Sequence, residues 1–201
     1  MQRPSFDKDT LRSTLRQQRA KLSPALQKQK SASIVQHIYQ SPIFKSAKHI
    51  AFYSPIKGEV DPLPLAQLSN KTIANKYFYL PIIQDSEEPL LFAPFSNQSE
   101  LVNNRLSIPE PAYKNSELIT PEALDLVIMP LLGFDKHGNR LGMGGGFYDR
   151  TFAFKKQKSN KPALIGIAYD FQEVEFLKAE DWDIPLDYMV TESQFNFFQN
   201  L

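Results

Sequence analysis

Apolar positions near the start of the chain follow a helical period. Between residues 7 and 22, Leu11, Leu15 and Leu22 recur at helical spacing, while Lys8, Arg12, Arg16 and Arg19 repeat the same period on a neighbouring face. This predicts an amphipathic helix with a cationic stripe. Taken alone, such a stripe is more simply a solvated face than a ligand site. Ser23 and Pro24 supply an N-cap and a first helical residue, and Ile34, Val35 and Ile38 mark the buried side of a second helix ending before Pro42. The chain thus opens on a helical pair. Beyond it, compact β-rich runs at 49–53, 77–83, 90–95, 126–132, 163–168 and 188–191 predict strands, with a short helix at 63–68. The stretch 96–121, rich in Asn, Ser and Pro, reads as loop. Strands alternating with helices predict an α/β fold: a three-layer sandwich with a largely parallel open sheet, ligands gathering at the strand C-terminal ends.

Glycine is concentrated in one place. Of the eight glycines in the chain, six lie between Asp125 and Arg150, in DLVIMPLLGFDKHGNRLGMGGGFYDR. The apolar run 126–132 suits a strand buried on both faces. A polar loop follows it, and residues 147–154 are compatible with a helix, so the segment predicts a strand, a glycine-rich loop and a helix N-terminus, where anions are held in α/β proteins. Neither common nucleotide signature fits. A G-x-G-x-x-G pattern starting at Gly142 ends on Phe147, and a P-loop starting at Gly133 puts Asn139 where lysine is required. A tight turn explains one or two glycines. Four within five residues (Gly142, Gly144, Gly145 and Gly146, around Met143) favour a phosphate-contacting loop. Asp149, in the first helical turn, either complements the helix dipole or holds a Mg²⁺ that bridges phosphates.

Composition narrows the chemistry. The absence of cysteine excludes disulfides, thiolate catalysis and Cys-ligated zinc, and three scattered histidines make no His-rich site. His37 is expected on a helix surface, His49 at a strand edge and His137 in an exposed turn. The net charge of +1 conceals an asymmetry: residues 1–50 carry ten Lys/Arg against two Asp, the remainder 13 against 20. A nucleic-acid module built on that basic arm is disfavoured by the acidic body. With 201 residues, no apolar run of transmembrane length and no secretory-signal pattern at the start, we expect a single domain over 1–201, cytoplasmic, bound to no membrane and monomeric.

The central segment resembles the 5-formyltetrahydrofolate cyclo-ligase family, also called 5,10-methenyltetrahydrofolate synthetases. The resemblance is carried by Pro130, Gly133-Phe134-Asp135, Gly138, Arg140-Leu141-Gly142 and the run GGGFYDR from Gly144 to Arg150. It extends to Lys8 with Arg12 as K-x-x-x-R, to YSPIKGEVD at 53–61, to IPEP at 108–111, and to Ile165-Gly166 and residues 182–192 near the end. Phe147 stands where the family often has Tyr, and Trp182 where a His often precedes the acid Asp183.

The resemblance implies an enzyme that uses ATP with Mg²⁺ to convert 5-formyltetrahydrofolate into 5,10-methenyltetrahydrofolate, ADP and phosphate. It implies that Lys8, Arg12 and Arg140 neutralise the triphosphate, Lys8 and Arg140 as the catalytic cations, and that Gly142, Met143, Gly144, Gly145, Gly146, Phe147 and Tyr148 contact the nucleotide. Asp149 and Asp183 would hold the metal, with Asp187 the alternative to Asp183. Glu59 would anchor the folate, with Tyr53, Ile56 and Tyr148 as walls around its ring system. Read from the residues alone, Tyr53 and Tyr148 are equally ordinary packing aromatics, and Glu59 a surface turn. The competing function is a carrier or regulator that binds folate or a nucleotide without turning it over. It needs no joint meeting of Lys8, Arg12, Arg140 and Asp149 at one cleft.

Overall fold

The computed structural model describes residues 7–72, 75–85, 87–157 and 161–198. Residues 1–6, part of the start in which no secretory signal is legible, lie outside them. Helix α1 (Lys8–Ala20) begins where the Asp7 carboxylate accepts hydrogen bonds from the N–H groups of Asp9 and Thr10. Helix α2 (Pro24–Gln40) is capped by Ser23, with Pro24 at its first position. The chain does not leave helix for long at Pro42, because Ser41 caps a further short helix, α3 (Pro42–Ser46). Then follow β1 (His49–Ala51), α4 (Pro64–Thr72), β2 (Tyr77–Ile82), β3 (Leu91–Phe95), β4 (Leu101–Asn103), β5 (Pro109–Pro111), β6 (Leu126–Pro130), β7 (Gly133–Phe134), β8 (Arg140–Leu141), α5 (Phe147–Thr151), β9 (Ala163–Ile167), β10 (Tyr188–Val190) and β11 (Phe195–Phe197).

The main sheet has the order β11-β10-β9-β6-β1-β2-β3. Its five inner strands run parallel, and β3 and β11 close the two edges antiparallel. Parallel strands are buried on both faces, which is why β6 reads as an unbroken apolar run. Leu126 and Ile128 pack on one side with Ile34, Val35, Ile38, Phe44 and Leu65 from α2, α3 and α4. Val127 and Met129 pack on the other, with Phe92, Phe134, Phe152 and Leu186. The second face is covered by short or irregular segments, so the three layers are unequal.

Four segments differ from the sequence expectation. The stretch 96–121 contains the β4–β5 hairpin, paired Leu101 to Pro111 and Asn103 to Pro109, since proline blocks a central strand but not a short two-stranded ribbon. The helix expected at 147–154 is five residues long, continued by a 3-10 turn, Ala153–Gln157. The region 133–141 is a hairpin, β7–β8, whose tip is organised by the fully buried Asp135, accepting from the N–H groups of His137, Asn139 and Leu177. The two N-terminal helices do form, but they serve different surfaces: α2 lies on the sheet, whereas α1 seats Leu15 against Leu141 and Leu177, with Leu11 and Val174 alongside. Among the histidines, His137 is exposed as expected, and His37 is half-buried, its ring nitrogen 3.2 Å from the Thr191 carbonyl.

Asp125 fastens three parallel strands at their starts. Its Oδ2 accepts from the N–H groups of Lys48 and His49, and its Oδ1 takes the Lys161 ammonium at 2.7 Å. Partial burial pushes this carboxyl up, but Lys161 and the two N–H groups outweigh it and hold it at about 2, below the ordinary 3.8. A depressed folded pKa contributes stability that is complete above the unfolded pKa and is lost as pH falls through the folded one. Asp125→Ala should therefore be destabilised near neutrality, with the gap to wild type in urea unfolding narrowing by about 1 kcal/mol, after allowance for solvent screening, between pH 5 and pH 2. A gap independent of pH would show that the charge on Asp125 plays no part.

Candidate active site

Strand order reverses at β1: the chain passes from β1 to β2 on one side and places β6 on the other. Crossovers diverge at such a point and leave a crevice beyond the strand C-terminal ends. A cleft of ≈590 Å³ lies there, with Tyr53 and Ser54 following β1, Pro130 and Leu131 at the end of β6, and Pro81 and Ile83 at the end of β2. That volume suits a small-molecule ligand. The cleft is also lined by Lys8, Arg12, Ile56, Glu59, Arg140, Gly142, Met143, Gly144, Gly145, Gly146, Phe147, Tyr148, Asp149 and Asp183. All the candidates singled out in the sequence thus share one cavity. Asp187 does not line it, its Oδ2 accepting instead from the Leu164 N–H and lying 3.3 Å from Lys155.

Helix α1 delivers the first cations. Arg12 donates through Nε to the Gly142 carbonyl at 3.0 Å and pairs with Asp9 at 2.6 Å. Lys8 lies 3.2 Å from Glu180 and 4.0 Å from Asp183. Arg140, at the end of the β7–β8 hairpin, is more enclosed than a triphosphate ligand need be, with a side chain only 6% exposed. It donates to Asp149 Oδ1 at 2.6 Å and to the Ile184 carbonyl, while the Ile184 N–H donates to the same Asp149 oxygen. Arg140 and Asp149 therefore clamp the segment that carries Asp183.

The other side of the cleft is more enclosed. Tyr53 is buried, its hydroxyl donating to the Val60 carbonyl at 2.5 Å. Burial, and after it the negative charge of Glu59, pushes the hydroxyls of Tyr53 and Tyr148 above their ordinary 10.0, so both stay protonated at neutral pH. Glu59 is not a surface residue: its side chain is 7% exposed, with the Ile56 N–H donating to Oε2 and the Arg19 guanidinium 3.6 Å from Oε1. Burial raises its pKa from the ordinary 4.5, while Arg19, the Ile56 N–H and Lys57 oppose the rise.

Sequence reasoning missed Arg19 and Glu110. Glu110, buried in β5, lines the cleft and accepts from the Ile83 N–H and the Asn104 amide, tying the β4–β5 hairpin to the end of β2. Its signal was the IPEP motif. Trp182, 66% exposed, stands on the rim.

Among the described residues there is no group of three or more His, Asp or Glu side chains able to hold a metal ion. Asp149 and Asp183 are two carboxylates on one wall, the donor number Mg²⁺ takes from a protein when phosphates and waters fill the rest of its shell. The donor set fits such an ion in company with a phosphate ligand. Among the described residues, no helix is long and apolar enough to cross a membrane.

Residues 4–192 match the 5-formyltetrahydrofolate cyclo-ligase family. The chain is 39% identical over 181 residues to the 5-formyltetrahydrofolate cyclo-ligase of Escherichia coli K12, covering 90% of this chain and 97% of the relative. It is 38% identical to that of Haemophilus influenzae, covering 88% and 92%. Its fold is similar to the solved structure of 5,10-methenyltetrahydrofolate synthetase from Aquifex aeolicus, with a TM-score of 0.80 at 33% identity, covering 96% of this chain and 93% of the other.

The glycine loop can be tested apart from the fold. Gly142 has no positive φ, and a Cβ added there would meet nothing within 4 Å, so packing does not explain the glycine. Gly142→Ala should leave stability within about 0.5 kcal/mol of wild type. If a phosphate lies against this backbone, the same change should weaken a non-hydrolysable ATP analogue by roughly tenfold in calorimetric titration. An unchanged affinity would return the loop to a plain turn.

Proposed function

The chain belongs to the 5-formyltetrahydrofolate cyclo-ligase family, and on that premise we propose that its cleft cyclises 5-formyltetrahydrofolate to 5,10-methenyltetrahydrofolate at the expense of ATP. The observation that carries this reading is the meeting of two unlike half-sites in one cavity. One half is cationic and glycine-rich, with Lys8, Arg12 and residues 142–146. The other is enclosed and largely apolar, with Tyr53, Ile56, Tyr148 and the carboxylate of Glu59. A folate carrier needs only the second half, and a nucleotide-binding regulator only the first.

A formamide is a poor electrophile because its nitrogen shares electrons with the carbonyl. Transfer of the γ-phosphoryl group from ATP to the formyl oxygen breaks the β–γ phosphoanhydride bond and leaves ADP. The folate N10 then adds to the activated carbon and loses its proton, the C–O bond breaks, and phosphate departs with the oxygen. Positioning and charge stabilisation are the protein's share of such a reaction. Lys8 and Arg12 face the phosphoryl groups. Arg140 acts at one remove, holding Asp149 and the 183–184 segment in place. Glu59 accepts from pterin N–H groups, and the protonated Tyr53 and Tyr148 wall the ring without acting as bases. Asp149 and Asp183 are the residues that would hold Mg²⁺, which when bound supplies positive charge along the triphosphate. N10, an aryl amine, is neutral at ordinary pH and needs no strong base. In this reading the chain works as one domain, a cytoplasmic monomer acting on two small molecules.

Incubation with 5-formyltetrahydrofolate, ATP and Mg²⁺ should make the methenyl chromophore appear. Silence in that assay, with both ligands bound, would favour the carrier. Asp149→Asn should lower turnover by roughly a hundredfold, about 3 kcal/mol. Its affinity for 5-formyltetrahydrofolate should change little, since the Glu59 side is untouched. Unchanged turnover with weakened folate binding would overturn the assignment.

A further inference from the structure

The cationic stripe of α1 has a member that touches no phosphate-binding candidate. Arg19, in the last turn, is 2% exposed. Its Nη1 lies 3.6 Å from Glu59 Oε1, and its buried Nε has no hydrogen-bond partner among the described residues. A buried guanidinium is retained only where its charge is answered, and Glu59 answers it. At 3.6 Å the pair attracts without a short hydrogen bond. Glu59 Oε2 is taken by the Ile56 N–H, so Oε1 keeps its lone pairs for another donor. Glu59 itself lines the cleft.

We propose that Arg19 is a positioning residue: from behind the cleft wall it holds Glu59 as an anion and leaves Oε1 open to accept hydrogen bonds from the ligand. This rests on the reading of Glu59 as the folate anchor. The groups around Glu59 explain why such a device is needed. Tyr53 from the end of β1 and Tyr148 from α5 face it as neutral hydroxyls, their ionisation opposed by its charge, and Lys57 on its own loop is exposed. Burial favours the protonated acid, which would present a hydroxyl to the pterin donors. Arg19, on α1, is the enclosed cation set against that tendency.

The test uses the full chain with Arg19→Met, which keeps bulk and removes charge, and Arg19→Lys, which keeps charge. In the ligand-free protein, the carboxyl of ¹³C-labelled Glu59 followed by NMR should titrate at higher pH in Arg19→Met than in wild type, with Arg19→Lys between them. At pH 7, Arg19→Met should bind 5-formyltetrahydrofolate about tenfold or more weakly, since the unopposed desolvation of one carboxylate is of at least that size. The loss should shrink as pH rises and Glu59 re-ionises, appear in KM rather than kcat, and spare the affinity for an ATP analogue. An Arg19→Met protein that unfolds at the wild-type temperature with the wild-type Glu59 titration would overturn the proposal. So would equal losses of folate and ATP-analogue affinity, which would make Arg19 a strut for α1. The NMR titration needs no folate, so a wild-type chain that fails to bind folate condemns the functional reading while Arg19 is still judged on its own.

Discussion

The seat of α1 on the β7–β8 hairpin is the contact on which the cleft depends. Leu15 lies so close to the hairpin backbone that a Cβ at Gly133 would come within 2.8 Å of its Cδ1. A side chain at 133 would make Leu15 shift from its seat. Leu15, Leu141 and Leu177 are buried around it, a cluster separate from the two that sandwich the sheet. A fully buried leucine is worth roughly 1.5–3 kcal/mol, so these few side chains suffice to dock a helix of 13 residues. The docking fixes the reach of both its ends. Arg12 arrives at the glycine loop, Lys8 at Glu180 and Asp183 on the same cleft, and Arg19 behind Glu59. One helix therefore furnishes cations to both halves of the cavity.

Those cations are not idle in the absence of a ligand. Lys8 is engaged with Glu180 and Asp183, Arg12 with Asp9 and the Gly142 carbonyl, and Arg140 with Asp149. The pairs differ in enclosure. Lys8 keeps about a third of its side-chain exposure and its contacts are at 3.2 and 4.0 Å, whereas Arg140 is almost fully enclosed with a 2.6 Å bond. Partly exposed pairs are weak, and exchanging one carboxylate for a phosphate oxygen changes little. Enclosed pairs are costly to break. This separates Lys8 and Arg12, able to turn to a ligand, from Arg140, whose guanidinium is committed to the wall.

Much of this was legible in the residues. The six apolar runs became the five inner parallel strands and the β3 edge, because a strand buried on both faces has to be apolar throughout. The opposite edge, β11, is half exposed and gave no such run. The glycine cluster and the K-x-x-x-R pair pointed to one cavity. Arg19 was read with the cationic stripe, and its separate place behind Glu59 was not legible because the stripe looked like a face of its own. Lys8, Arg12, Leu15 and Arg19 in fact step by four, three and four residues, which puts them on one side of the helix. Arg19 lies one turn beyond Leu15 on the buried side. The 133–141 hairpin was hidden for another reason: Asp135, Asn139 and Gly138 are ordinary turn residues, and only a buried carboxylate accepting several N–H groups shows that the turn is a framework.

If the cleft takes a triphosphate as proposed, the shortness of α5 shifts the weight of anion binding onto side chains. A helix N-terminus holds an anion through aligned peptide dipoles, and that field grows with the number of turns behind it. Behind Gly146 stand only five α-helical residues before the chain tightens into a 3-10 turn, and no side chain caps the start. Its dipole is a small part of what a triphosphate requires. Of the glycines at 142–146, Gly144 and Gly146 supply positive φ, whereas Gly142 leaves open space over exposed backbone at the cleft. On the proposed reading the compensating charge comes from Lys8 and Arg12 on a different helix; what the structure shows is that Arg12 links the N-terminal arm to a loop 130 residues downstream.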